Sequence, residues 1–94
     1  MSYELEFHPL ALKEWNDLGE TVREQFKKKL RQRLENPKVS KEKLSGLDSV
    51  YKIKLKSAGY RLAYRVHDDI VVVLVLAVGK RENSAVYKLL HSRV

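Results

Sequence analysis

The residues best suited to chemistry fall within positions 51–87, YKIKLKSAGYRLAYRVHDDIVVVLVLAVGKRENSAVY. Here Lys52, Lys54, Lys56, Arg61, Arg65, Lys80 and Arg81 gather within 30 residues, and Tyr87 follows. Lysine and arginine bind phosphate oxygens, and a tyrosine ring beside them offers a stacking platform for a base. RNA supplies its own nucleophile in the ribose 2′-OH. A protein that cuts it must take that proton, stabilise the charge on the phosphorane and protonate the leaving 5′ oxygen. Like charges disfavour the protonated form of an amine, which makes Lys52 or Lys54 a candidate base. Arginine stays protonated, so it suits charge stabilisation, with proton donation at best an unusual further role.

Alternation decides how these side chains are presented. Lys52, Lys54 and Lys56 point to one face of a strand, and Tyr51, Ile53 and Leu55 to the other. After Ser57-Ala58-Gly59, where glycine can supply a positive φ, Tyr60, Leu62, Tyr64 and Val66 alternate with Arg61, Ala63 and Arg65. If both apolar faces bury the same core, Arg61 falls on the lysine face. His67-Asp68-Asp69 reads as the next turn, and residues 70–78, IVVVLVLAV, as a central strand covered on both sides and too short to cross a bilayer. The basic stretch Gly79-Lys80-Arg81-Glu82-Asn83 follows, and Ser84 is placed to cap a short helix carrying Tyr87.

Upstream, Tyr3, Leu5 and Phe7 alternate with Glu4, Glu6 and His8, which predicts a first strand joining the later sheet. Pro9 suits a helix start; Ala11, Trp15 and Leu18 then fall on one side, and Gly19 provides a stop. Thr21-Val22-Arg23-Glu24 has the spacing of a capping box, and Val22, Phe26, Leu30 and Leu34 recur every four residues up to Asn36-Pro37. Arg23, Lys27, Lys28, Lys29, Arg31 and Arg33 fill the positions between, either a solvated face or a grip on an RNA backbone. Residues 38–48 read as a polar loop in which Leu44 and Leu47 tuck under the sheet. The order predicts one α+β domain over residues 1–94: a mainly antiparallel four-stranded sheet, two N-terminal helices on one face and a short C-terminal helix.

Composition narrows the function. Nineteen Lys and Arg against twelve Asp and Glu leave a formal net charge of +7, which favours an anionic partner such as nucleic acid or an acidic protein. The absence of cysteine excludes disulfides and thiolate chemistry. His8, His67 and His91 are scattered without neighbouring ligands, so no metal site and no cofactor are expected. The start, MSYELEFH, lacks the pattern of a signal peptide, in keeping with a soluble cytoplasmic protein.

ALKEW, TVREQ, KKKL, YKIKL, GYRL, the VVV strand and GKRE with its following tyrosine run from end to end of the chain. In these motifs it resembles the RelE toxins of bacterial toxin–antitoxin pairs. The resemblance implies a ribosome-dependent endoribonuclease that cuts mRNA in the ribosomal A site, leaving a 2′,3′-cyclic phosphate and a 5′-OH. By that likeness Lys52 and Lys54 match catalytic lysines, Arg61 a transition-state-stabilising arginine, Arg81 a general acid and Tyr87 the tyrosine that stacks on or orients the nucleotide. Arg23, Lys27, Lys28, Arg31, Lys56, Arg65 and Lys80 are candidate RNA or ribosome contacts. The implied partners are the 70S ribosome, an acidic RelB-type antitoxin that displaces the terminal helix, and operator DNA bound only as the toxin–antitoxin complex. Two other readings compete. A gyrase-inhibiting toxin of the ParE group shares the fold but would not need Lys52, Lys54 and Arg81 together. A non-catalytic RNA-binding module would lose affinity gradually as cations are removed, with no cleaved product.

Overall fold

Strands β1 (Glu4–Phe7), β2 (Val50–Leu55), β3 (Tyr60–His67) and β4 (Val72–Lys80) form one sheet in the order β1-β4-β3-β2. The computed structural model describes residues 2–80 and 85–93. The sheet is mixed: β2–β3 and β3–β4 pair antiparallel as the hairpin patterns predict, while β1 lies parallel to β4. Helices α1 (Pro9–Asn16) and α2 (Glu20–Glu35) cover one face, and α3 (Ala85–Arg93) packs against the other.

The α1/α2 face is built from the residues that alternation and four-residue spacing single out. Trp15, Phe26 and Leu30 meet Tyr51, Ile53, Leu62, Tyr64, Val73 and Val75 in a continuous buried cluster, with Phe7 against its edge. Full burial of each such side chain contributes roughly 1.5–3 kcal/mol. The α3 face is smaller: Val50, Ala63, Leu76, Ala77, Val86 and Leu90 are buried there, with Leu44 and Leu47 tucked against them as expected.

A bulge shapes this second face. Ala63 pairs with Ala77 but Tyr64 pairs with Val75, leaving Leu76 as the extra residue on β4. Two consecutive side chains, Leu76 and Ala77, therefore join the α3 cluster. Gly59 takes the positive φ expected of the first hairpin turn, 71°.

Two local expectations are corrected. Helix α2 begins at Glu20 with Gly19 as its N-cap and no side-chain cap, so Thr21 lies inside the helix and the capping-box reading fails. With Glu20 already helical, the Thr21 hydroxyl lies past the position from which a side chain caps a helix. Helix α1 is instead capped by a side chain: His8 Nδ1 accepts from the Leu10 N–H at 3.2 Å. Strand β4 starts at Val72 rather than Ile70, because His67 pairs with Val72 and the reversal uses residues 68–71. Val71 sits at φ 56° and Ile70 is left 62 % exposed at the turn.

Candidate active site

The β2–β3 register decides which cations meet. Lys54 is directly opposite Arg61 and Lys52 opposite Ala63, so all three charged side chains rise on the α3 face, half-buried. Opposed residues stand with Cβ atoms about 4.5–5.5 Å apart. On the far side of Arg61 its partner is Gly79, and a Cβ added there would lie 3.4 Å from Val86 Cγ2. A side chain there would thus come into ordinary contact with α3.

Helix α3 brings Tyr87 to Arg61. Arg61 Nη1 donates to Tyr87 Oη at 2.8 Å, and the guanidinium carbon lies 5.3 Å from the ring centroid. Arg61 Nε is buried and finds no hydrogen-bond partner among the described residues. None of Lys52, Lys54 and Arg61 forms an ion pair among the described residues. A guanidinium with no carboxylate partner among the described residues, on the strand face that carries Lys52 and Lys54 and with a desolvated donor to spare, has the chemistry to accept an anion.

The strand carrying the lysines is at the sheet edge, and an arginine from α2 holds it. Arg33 Nη1 donates to the Lys52 carbonyl at 3.1 Å and to Tyr64 Oη at 2.8 Å, while Tyr64 Oη donates to the Pro37 carbonyl at 2.7 Å. Burial pushes the Tyr64 phenol above its ordinary value, against the opposing pull of Arg33. Arg33 is thus a strut within the fold, not the free surface cation its neighbours suggest. Its partner Tyr64 is 31 residues away in sequence, beyond the reach of local pattern.

The other candidate cations separate. Lys28 borders a groove of about 580 Å³ between α2 and β2, together with Lys29, Gln25, Gln32, Lys54 and Lys56. Lys56 lies in the turn after β2, exposed. Lys27 pairs with Glu24 at 3.2 Å and, with Arg31, borders a different depression beside Leu5 and Leu34. Arg23 turns back to the Leu18 carbonyl at 3.2 Å. Arg65 is on the lysine face, opposite Val50, with Asp48 at 4.0 Å. Lys80 pairs with Tyr60 and so lies on the α1/α2 face, away from Lys54 and Arg61. The structure therefore unites Lys52, Lys54, Arg61 and Tyr87, while of these four Lys54 alone shares the groove between α2 and β2 with Lys28 and Lys56. Arg81 and the proposed Ser84 cap lie outside the described residues. Among the described residues there is no group of three metal-ligating side chains, and no helix is long and apolar enough to cross a membrane.

A family model described as the ParE toxin of type II toxin-antitoxin system, parDE, matches residues 5–85. The mRNA interferase toxin RelE of Escherichia coli strain K12 is 59% identical over 87 residues, covering 93% of this chain and 92% of that protein. The chain belongs to the RelE/ParE family of type II toxins. The likeness extends through the fold. A double arginine-to-alanine mutant of E. coli toxin RelE in the free state superposes with a TM-score of 0.93 at 54% identity, covering 100% of this chain and 99% of that one. The toxin of the intact E. coli RelBE toxin–antitoxin complex gives 0.84 at 56% identity, over 87% of this chain and 100% of that one. Membership of the RelE/ParE family does not by itself fix the target, since one fold can serve several functions.

Proposed function

We propose that this toxin is a ribosome-dependent endoribonuclease that cuts mRNA in the A-site codon and so stops translation. The observation that carries the reading is Arg61: its guanidinium, free of any carboxylate among the described residues, sits opposite Lys54 and is bound to Tyr87. A scissile phosphate seated against Arg61 would have its developing negative charge met by that guanidinium. The ribose 2′-OH attacks the adjacent phosphorus as Lys52 or Lys54 takes its proton. The P–O5′ bond breaks, Arg81 supplies the proton to the departing oxygen, and a 2′,3′-cyclic phosphate remains. Tyr87 stacks on or orients the nucleotide.

Among the described residues the cluster holds no carboxylate or imidazole to act as a strong base, so much of the acceleration must come from holding the RNA in line for attack. A programmed ribosome supplies that positioning, and free RNA is accordingly a poor substrate. The relatives support the substrate class, being named mRNA interferases in E. coli and Shigella flexneri. Solved complexes of E. coli RelE with its antitoxin support a RelB-type partner for this chain. An acidic antitoxin suits its positive charge, and operator DNA is bound only by the pair. The ribosome as partner places the activity in the cytoplasm. No cofactor enters the scheme.

Primer extension on mRNA in programmed ribosomes tests it, with Arg81→Ala as the control. Cuts confined to the A-site codon and absent in the variant are the expected result. Intact mRNA would overturn the proposal. The family model's own description, a ParE toxin, then makes gyrase inhibition the reading to assay.

A further inference from the structure

Strand β1 ends at Phe7, paired with Val75, so β4 runs on past its neighbour from Leu76. Two charged side chains take up the edge groups left there. The Leu76 carbonyl accepts from Arg93 Nη1 at 2.9 Å, and the Val78 N–H donates to Glu14 Oε1 at 3.1 Å. The same two side chains also join each other in a fork, Nη1 to Oε1 at 2.8 Å and Nη2 to Oε2 at 3.0 Å. Arg93 has 6% of its side chain exposed and Glu14 26%. Short, two-pronged and sheltered from water, this belongs with the stronger class of ion pair.

Its placement gives it a consequence for the active site. Glu14 belongs to α1, on the aromatic face, whereas Arg93 is the last residue of α3, on the cationic face. The pair therefore wraps the open edge of β4 and ties the two layers together. Helix α3 has nine residues, too few to be stable alone in water; among its described residues Val86 and Leu90 are buried in the apolar cluster, and Tyr87 and Leu89 pack against it half-buried. Tyr87 is on that helix, and Arg61 is its hydrogen-bond partner.

We propose that Glu14 and Arg93 are positioning residues for cleavage: by clamping the end of α3 to the β4 edge they seat Tyr87 against Arg61. The assignment rests on the endoribonuclease reading. Arg93 touches no reacting atom; it acts through the helix. Without it α3 spends part of its time undocked, and cleavage falls with the fraction of molecules in which Tyr87 is in place.

The test combines amide exchange with a double-mutant cycle in the ribosome cleavage assay. In Arg93→Ala the α3 amides should exchange about 10- to 100-fold faster, the loss expected of charge-assisted hydrogen bonds, while the α2 amides around Phe26 keep their protection. Arg93→Lys, which retains one point charge, should fall between. Cleavage should drop in Arg93→Ala, yet Arg93→Ala added to Tyr87→Ala should cost nothing further, because there is no ring left to seat. A merely structural arginine predicts the opposite, a loss that multiplies in both backgrounds. Unchanged α3 exchange, unchanged cleavage or multiplicative loss would each overturn the positioning role while leaving the nuclease reading intact. Absence of cleavage by the unmodified protein would remove that reading itself, and the positioning role with it.

Discussion

The two faces of the sheet are filled on different principles. Under α1 and α2 the contacts are between rings: Phe7 with Trp15 at 5.2 Å between centroids, Trp15 with Phe26 at 6.3 Å, Tyr51 stacked on Tyr64 at 5.8 Å. Under α3 the sheet offers Ala63, Ala77 and Gly79, and beside them the half-buried Lys52, Lys54 and Arg61. Neighbouring like charges across a strand pair oppose folding. They are tolerated because apolar burial on the opposite side holds the same strands in register. One face makes the fold and the other is thereby free to carry Lys52, Lys54 and Arg61 without a carboxylate partner among the described residues.

That division predicts opposite responses to truncation. Phe26, fully buried under the sheet, should cost about 3–5 kcal/mol when changed to alanine, a large share of the roughly 5–15 kcal/mol that holds a domain together. Urea unfolding should reveal it as a fall in midpoint. A cost below about 1 kcal/mol would mean that the aromatic face is not where the stability lies.

Arg61→Ala should do the reverse. Losing one donor to a developing oxyanion typically lowers the rate about 100- to 1,000-fold, whereas thermal unfolding should be nearly unchanged, because Arg61 is half-buried and crowded by like charge. Cleavage by this variant at the rate of the unmodified protein would separate Arg61 from the chemistry. A midpoint that collapsed with activity would instead place it in the fold.

How much of this was legible in sequence follows from the range of each interaction. Period-two alternation put Lys52, Lys54 and Arg61 on one face, because in a strand with one apolar side water itself fixes the register. Four-residue spacing found Phe26 and Leu30 for the same reason. An unbroken apolar run carries no phase, so residues 70–78 did not disclose that Ile70 would be spent on a turn or that Leu76 would bulge. Arg33 looked like any cation of α2, because nothing local distinguishes it from Arg31. Glu14 and Arg93 are 79 positions apart, and only the folded sheet edge brings them together.

The smallest expected effect belongs to neither face but to the rim where β1 begins. Asp68, in the turn between β3 and β4, accepts from Tyr3 Oη at 2.7 Å and is bridged to Lys38, just beyond α2. The Lys38 ammonium first, and the Tyr3 hydroxyl second, hold the Asp68 carboxyl below its ordinary value of about 3.9. A lowered folded-state pKa means that the stabilisation is present above the unfolded value and is lost as pH falls through the lowered one. Asp68 in turn raises Lys38 above its usual range, so the same contact persists until strongly alkaline pH. Both side chains are about half exposed, and solvent screens the pair heavily. Thermal midpoints of the unmodified protein and Asp68→Asn should therefore differ slightly at neutral pH and converge below about pH 4. A gap of constant size down to pH 2 would mean that the charge on Asp68 is not its source. A gap as large as that of Phe26→Ala would contradict the contrast itself, because a solvated rim contact would then rival the aromatic core.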